Sequence, residues 1–134
     1  MDTAAKVLIV GGVLNLAYGF LTGFLLANVR MKGPESPKYL TLAHIGPLMQ
    51  GPMLLALVFA VQLSTLSGSL ETIAASLLVA GSALLAVADT SNWLQGVRDA
   101  PEERPPLGTL LSASSVVAST AGLAILIAGV FAGL

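Results

Sequence analysis

Apolar residues run along this chain in four long stretches without a charged side chain: Val7 to Val29, Tyr39 to Leu70, Thr72 to Ala88, and Leu107 to Leu134. Each is near or above the ~20 residues that a helix needs to cross a bilayer core, the third once Asp89 is taken inside it, since the next charge is Arg98. A water-soluble bundle would show a polar outer face on every helix, and no such face is present. The pattern predicts an all-α fold, an integral membrane four-helix bundle forming one domain over residues 1–134, with helices at about 3–29, 39–66, 71–97 and 106–133.

The breaks between the stretches give the topology. Arg30, Lys32 and Lys38 fall between the first and second spans and Arg98 and Arg104 between the third and fourth, whereas the other side offers Lys6 alone. That bias predicts cytoplasmic loops at 30–38 and 98–106, with both termini facing outward, in a membrane such as the bacterial inner membrane. Pro34, Pro37, Pro101, Pro105 and Pro106 keep those loops from extending the helices. The short Gly/Ser-containing break from Ser67 to Glu71 predicts a tight antiparallel hairpin of the second and third spans. The first apolar run is longer than the h-region of a cleaved signal, so it is expected to remain as a helix.

Composition narrows the chemistry. The chain is 55% hydrophobic and 10% charged, with a net charge of −1 and no basic face for nucleic acid. It has no cysteine, which removes disulfides, thiolate metal sites and dithiol redox chemistry. What is left is a handful of polar groups inside the spans.

Their depths coincide. At 1.5 Å per residue, His44 lies ~9 Å inside the membrane counted from Lys38, Asn92 ~9 Å and Asp89 ~13 Å counted from Arg98, and Ser112 to Ser115 ~9–14 Å counted from Pro106. Asp89, Asn92, Trp93 and Gly96 share one helical face. A polar belt on facing helices is what a buried site in a bundle requires. An intramembrane Asp costs at least ~2.5 kcal/mol on insertion scales and marks function more often than structure. Asn92 and the serines also serve as interhelical hydrogen-bond groups, and Asn15, Tyr18 and Thr22 form a second stripe on the first span suited to packing. Gly19-x-x-x-Gly23 and Gly129-x-x-x-Gly133 are close-packing signals of no particular specificity.

His44 is the only histidine, set among Gly46, Pro47, Gly51 and Pro52. It can be a structural residue, a proton carrier or a metal ligand. One imidazole cannot build a zinc or copper site, which takes three or four protein ligands. It can hold a haem iron, because the porphyrin supplies four other donors, with Met49 or Met53 as candidates for a second axial ligand.

The segment Ala43-His44-Ile45-Gly46-Pro47, followed by Gly51, Met53, Ala56 and Phe59, resembles the signature helix of the styrene oxide isomerase family of small four-helix membrane enzymes, to which the hydroxylaminobenzene mutases are related. The resemblance is specific over residues 43–59 and elsewhere extends only to the four-helix plan and the Asp89, Ser91, Asn92 cluster. It implies a homotrimer with haem b between subunits, ligated by His44 and bordered by Gly46, Pro47 and Gly51. It further implies that ferric haem acts as a Lewis acid in an isomerisation without net redox change.

Two departures set the expected substrate. Gln50 stands where the epoxide isomerases carry an asparagine six positions after the histidine, and no tyrosine follows Tyr39, so their third-helix tyrosine has no counterpart. The compact length is closer to the short hydroxylaminobenzene mutases. The resulting expectation is an isomerase that converts hydroxylaminobenzene, a small aromatic substrate, to 2-aminophenol, with Asp89, Asn92 and Gln50 as catalytic residues. Alternatives are an epoxide isomerase taking styrene oxide to phenylacetaldehyde, a small proton-coupled exporter using the intramembrane carboxylate, and a non-enzymatic haem or assembly subunit.

Overall fold

The protein is described by a computed structural model covering residues 2–34, 36–98 and 105–134. Four helices follow one another: α1 (Thr3–Lys32), α2 (Lys38–Leu63), α3 (Gly68–Leu94) and α4 (Pro106–Ala132). All four are long and apolar enough to cross a membrane, and only between 22% and 33% of the most apolar window of each is buried within the chain. The rest of each surface is left for lipid or for a partner. The chain is therefore an all-helical protein of the integral membrane class.

Local chemistry sets the helix ends. Asp2 caps α1, its carboxylate accepting from the Ala5 N–H at 2.6 Å. α1 runs on past the expected Val29 through Arg30 and Lys32, since cations in a last turn complement the helix dipole instead of stopping the helix. α2 stops at Leu63, before the expected end, where the Ser64 N–H turns back to the Val61 carbonyl at 3.2 Å. α3 starts early, at Gly68, and ends in a Schellman turn. Gly96 takes φ +69°, its N–H bonds the Trp93 carbonyl, and the Val97 N–H bonds the Asn92 carbonyl, both at 3.0 Å. Gly96 thus ends the helix that carries Asp89 and Asn92 and does not extend their face. Pro105 and Pro106 open α4. Pro101 and Arg104, which the sequence assigns to the same loop, lie outside the described residues.

The helices associate as two close pairs, α1 with α2 and α3 with α4; α3 also packs on α1 and α2, while no Cα atoms of α1 and α4 come within 8 Å of each other. Ala4, Leu8, Leu54, Val61, Ala74, Ala75, Leu78 and Leu126 form the apolar core. These residues come from the start of α1, the end of α2, the start of α3 and the end of α4, so the core fills the half of the bundle nearer the chain termini. The other half, toward the α1–α2 loop, holds His44, Asp89, Asn92 and Ser115.

Polar groups also join the helices. Asn15 Nδ2 donates to Ser82 Oγ at 3.0 Å across α1 and α3, and Ser115 Oγ donates to the Gly81 carbonyl at 2.7 Å across α4 and α3. Tyr18 and Thr90 join their hydroxyls between α1 and α3.

Candidate functional site

α2 contains two prolines, and the first of them organises the surroundings of His44. Pro47 has no N–H, so the carbonyl of Ala43, four residues earlier, loses its helical donor. Thr22 of α1 offers a replacement donor across the helix pair, its hydroxyl lying 3.0 Å from that carbonyl and sharing its single proton with the Tyr18 and Gly19 carbonyls of its own helix at 2.9 and 3.0 Å. One residue further along α2, His44 Nδ1 lies 2.7 Å from the Gly19 carbonyl. A carbonyl only accepts, so Nδ1 carries the proton and Nε2 keeps its lone pair. Gly23, one turn beyond Gly19, makes room for the ring: a Cβ there would stand 2.6 Å from Cε1 and 2.8 Å from Nδ1. The Gly19-x-x-x-Gly23 pair is therefore the seat of the imidazole, one glycine accepting its proton and the other yielding to its bulk.

His44 opens into a groove of about 360 Å³ between α1 and α2, lined also by Gly23, Leu26, Ala27, Arg30, Thr41 and Ile45. Nε2 has no hydrogen-bond partner among the described residues. No group of three or more His, Cys, Asp or Glu side chains able to hold a metal is present among them either, so a metal at His44 would have to bring its other donors with it. A porphyrin does so. An imidazole with Nδ1 fixed to a carbonyl and Nε2 free is the arrangement that orients a histidine ligand toward iron, and on that donor chemistry the residues present fit a haem.

The other residues assigned to a cofactor separate. Gly46 lies roughly 200° around α2 from His44, and a Cβ there would meet nothing within 4 Å. Gly51 shares the His44 face but is packed against α1, where a Cβ would come 2.7 Å from Leu16 Cγ. Pro47 is buried. Of the four, His44 alone lines the groove, Gly46 faces outward, and Pro47 and Gly51 serve the α1–α2 contact. Met49 and Met53 are 70% and 49% exposed and do not line the groove.

Asp89 and Asn92 face elsewhere. They line a cavity of about 420 Å³ together with Tyr39 and Leu42 of α2 and Gly108, Thr109 and Ser112 of α4. Asn92 is 4% exposed and Asp89 9% exposed; among the described residues Asn92 Oδ1 has no hydrogen-bond partner and Asp89 forms no hydrogen bond or ion pair. Gln50 Oε1 is likewise buried without a partner among the described residues, and Gln50 lines neither this cavity nor the His44 groove. Within one chain, then, the three expected catalytic residues and the expected ligand do not share a pocket. A further cavity of about 660 Å³ lies between α1 and α3, with Asn15, Tyr18, Thr90, Ser91 and Gln95 on its walls. The sequence points to Asn15 and Tyr18 only as a packing stripe, because nothing in the chain tells which helix that stripe will meet.

Comparison with protein families, curated proteins and solved structures finds no match to this chain.

Proposed function

We propose that this protein is a haem b-dependent membrane isomerase that rearranges hydroxylaminobenzene to 2-aminophenol. The observation carrying this reading is the imidazole of His44, which lines an open groove with its Nδ1–H committed to the Gly19 carbonyl and its Nε2 without a hydrogen-bond partner among the described residues. Support also comes from the resemblance of residues 43–59 to the signature helix of the styrene oxide isomerase family. Held by His44, ferric haem would supply Lewis acidity toward the substrate oxygen.

The chain's own residues do the rest. His44 fixes the reactive centre, and the Thr22–Ala43 and His44–Gly19 bonds hold α2 against α1 so that the ligand nitrogen does not wander. Apolar walls at Leu26, Ala27 and Ile45 exclude water that would otherwise capture a cationic aromatic intermediate. In the net change the N–O bond breaks, a C–O bond forms at the ortho carbon, and the proton displaced from that carbon ends on nitrogen. No external oxidant or reductant enters. A carboxylate suits the transfer of that proton, and Asp89 is a buried carboxylate with no hydrogen bond or ion pair among the described residues, lining one cavity with Asn92, whose amide would orient the amine.

Since Asp89 and Asn92 line a different cavity from His44 in their own chain, the reading requires them to reach the substrate from a neighbouring protomer. It therefore requires an oligomer, which the resemblance gives as a homotrimer. The test is direct: purified protein should show a Soret band and convert hydroxylaminobenzene to 2-aminophenol without an added electron donor. Substrate labelled with oxygen-18 in the hydroxyl group should keep the label in ordinary water. A colourless preparation that takes up no added haem would leave the intramembrane carboxylate to a proton-coupled exporter.

A further inference from the structure

Resting on the functional reading above, we infer that Arg30 binds a carboxylate of the porphyrin anchored by His44, so that the α1–α2 groove grips its ligand at two points. Arg30 ends the same groove that His44 opens into, with Gly23, Leu26 and Ala27 between them as an apolar floor. A free cation at one end and a free imidazole nitrogen at the other match a flat apolar ring that carries a metal at its centre and acidic groups on one edge.

The guanidinium is positioned by a relay of hydroxyls. Arg30 Nε donates to Ser36 Oγ at 3.0 Å, Ser36 Oγ lies 3.1 Å from Thr41 Oγ1, and Thr41 Oγ1 donates to the Pro37 carbonyl at 3.1 Å. The direction of the relay is fixed from its far end. The carbonyl takes the Thr41 proton, so Thr41 accepts from Ser36, and Ser36 accepts from Arg30. Every hydroxyl proton is thereby used within the relay. The remaining N–H donors of Arg30, on Nη1 and Nη2, have no partner among the described residues, and they form the parallel pair that recognises a carboxylate with two hydrogen bonds. Thr41 belongs to the groove wall one helical turn from His44, ~4.5 Å along α2, which keeps the cation and the ligand nitrogen within one small molecule's reach.

The experiment compares iron protoporphyrin IX with its dimethyl ester, which keeps the ring and the iron and removes both acidic groups. Haem-free full-length wild type and Arg30→Gln are titrated with each in phosphatidylcholine nanodiscs, which have no net-anionic headgroup to compete, and binding is read from the Soret band. Wild type should bind the free acid about tenfold or more tightly than the ester, and Arg30→Gln should lose that preference while binding the ester as wild type does. The ester affinity thus reports that the variant is folded. Equal binding of both porphyrins by wild type, or an undiminished preference in Arg30→Gln, overturns the assignment of Arg30 and leaves the role of His44 standing. Failure of wild type to bind either porphyrin overturns the functional reading and this inference together.

Discussion

Gly23 and His44 share one volume: the imidazole of α2 occupies the space where any other residue at position 23 of α1 would carry its Cβ. Gly23→Ala should push the ring off the Gly19 carbonyl and swing Nε2 away from the groove. Loss of an orienting contact of this kind lowers metal-ligand affinity by roughly 10–100-fold. Titration of haem into the variant should show that loss with the helix content unchanged; an unaltered affinity would mean that the ring is not held as described.

Pro47 and Thr22 meet at the carbonyl of Ala43, which the proline leaves without its helical donor and which the threonine hydroxyl can serve while it also reaches the Tyr18 and Gly19 carbonyls of its own helix. Thr22→Val should cost about 1 kcal/mol, the scale of a hydrogen bond inside a membrane protein. In a Pro47→Ala background the backbone N–H returns, and the same Thr22→Val change should cost measurably less. A double-mutant cycle in a denaturing detergent titration reads the difference. Strict additivity would deny the coupling.

Gly96 takes φ +69°, a conformation that residues with a Cβ adopt at a cost of roughly 1 kcal/mol. Gly96→Ala should therefore lower stability by about that amount and leave haem affinity unchanged, because Gly96 ends α3 and touches neither the groove nor His44. A loss of haem affinity in this variant would place the end of α3 closer to the site than it lies here.

Much of the fold is legible in the chain because charge is so rare in it. Four uncharged stretches give four helices, and the clusters at Arg30, Lys32 and Lys38 and at Arg98 mark the turns between them. Helix ends are less legible: a cation does not stop α1, and it takes the left-handed Gly96 to stop α3. The pairing of helices is hidden altogether. In lipid every face of a helix is apolar, so the pattern gives depth but not which neighbour a face will meet. That is why His44 and Asp89, at similar levels by counting, open into different spaces, and why the Gly19-x-x-x-Gly23 spacing reveals its purpose only when α2 is laid against it. Proline chemistry is a signal available from the sequence: Pro47 requires a donor for Ala43, and Thr22 is one of few hydroxyls deep enough to give it.

Asp89→Asn separates binding from turnover. Asp89 lines a cavity distinct from the His44 groove of its own chain, so the variant should bind haem within about twofold of wild type. Its turnover should fall by roughly 10² if the carboxylate carries the ring proton. Activity at the wild-type level would reduce Asp89 to a structural residue, and parallel loss of haem and activity would place it against the cofactor.

Because the chain holds a single histidine, labelling that amino acid alone with nitrogen-15 labels one side chain. In the resonance Raman spectrum of the reduced, haem-loaded protein, the iron–nitrogen stretching band should move to lower frequency on labelling, since the bond to iron is the bond to His44 Nε2. A haem-loaded protein whose low-frequency spectrum is the same with and without the label would contradict the assignment of His44 as the ligand.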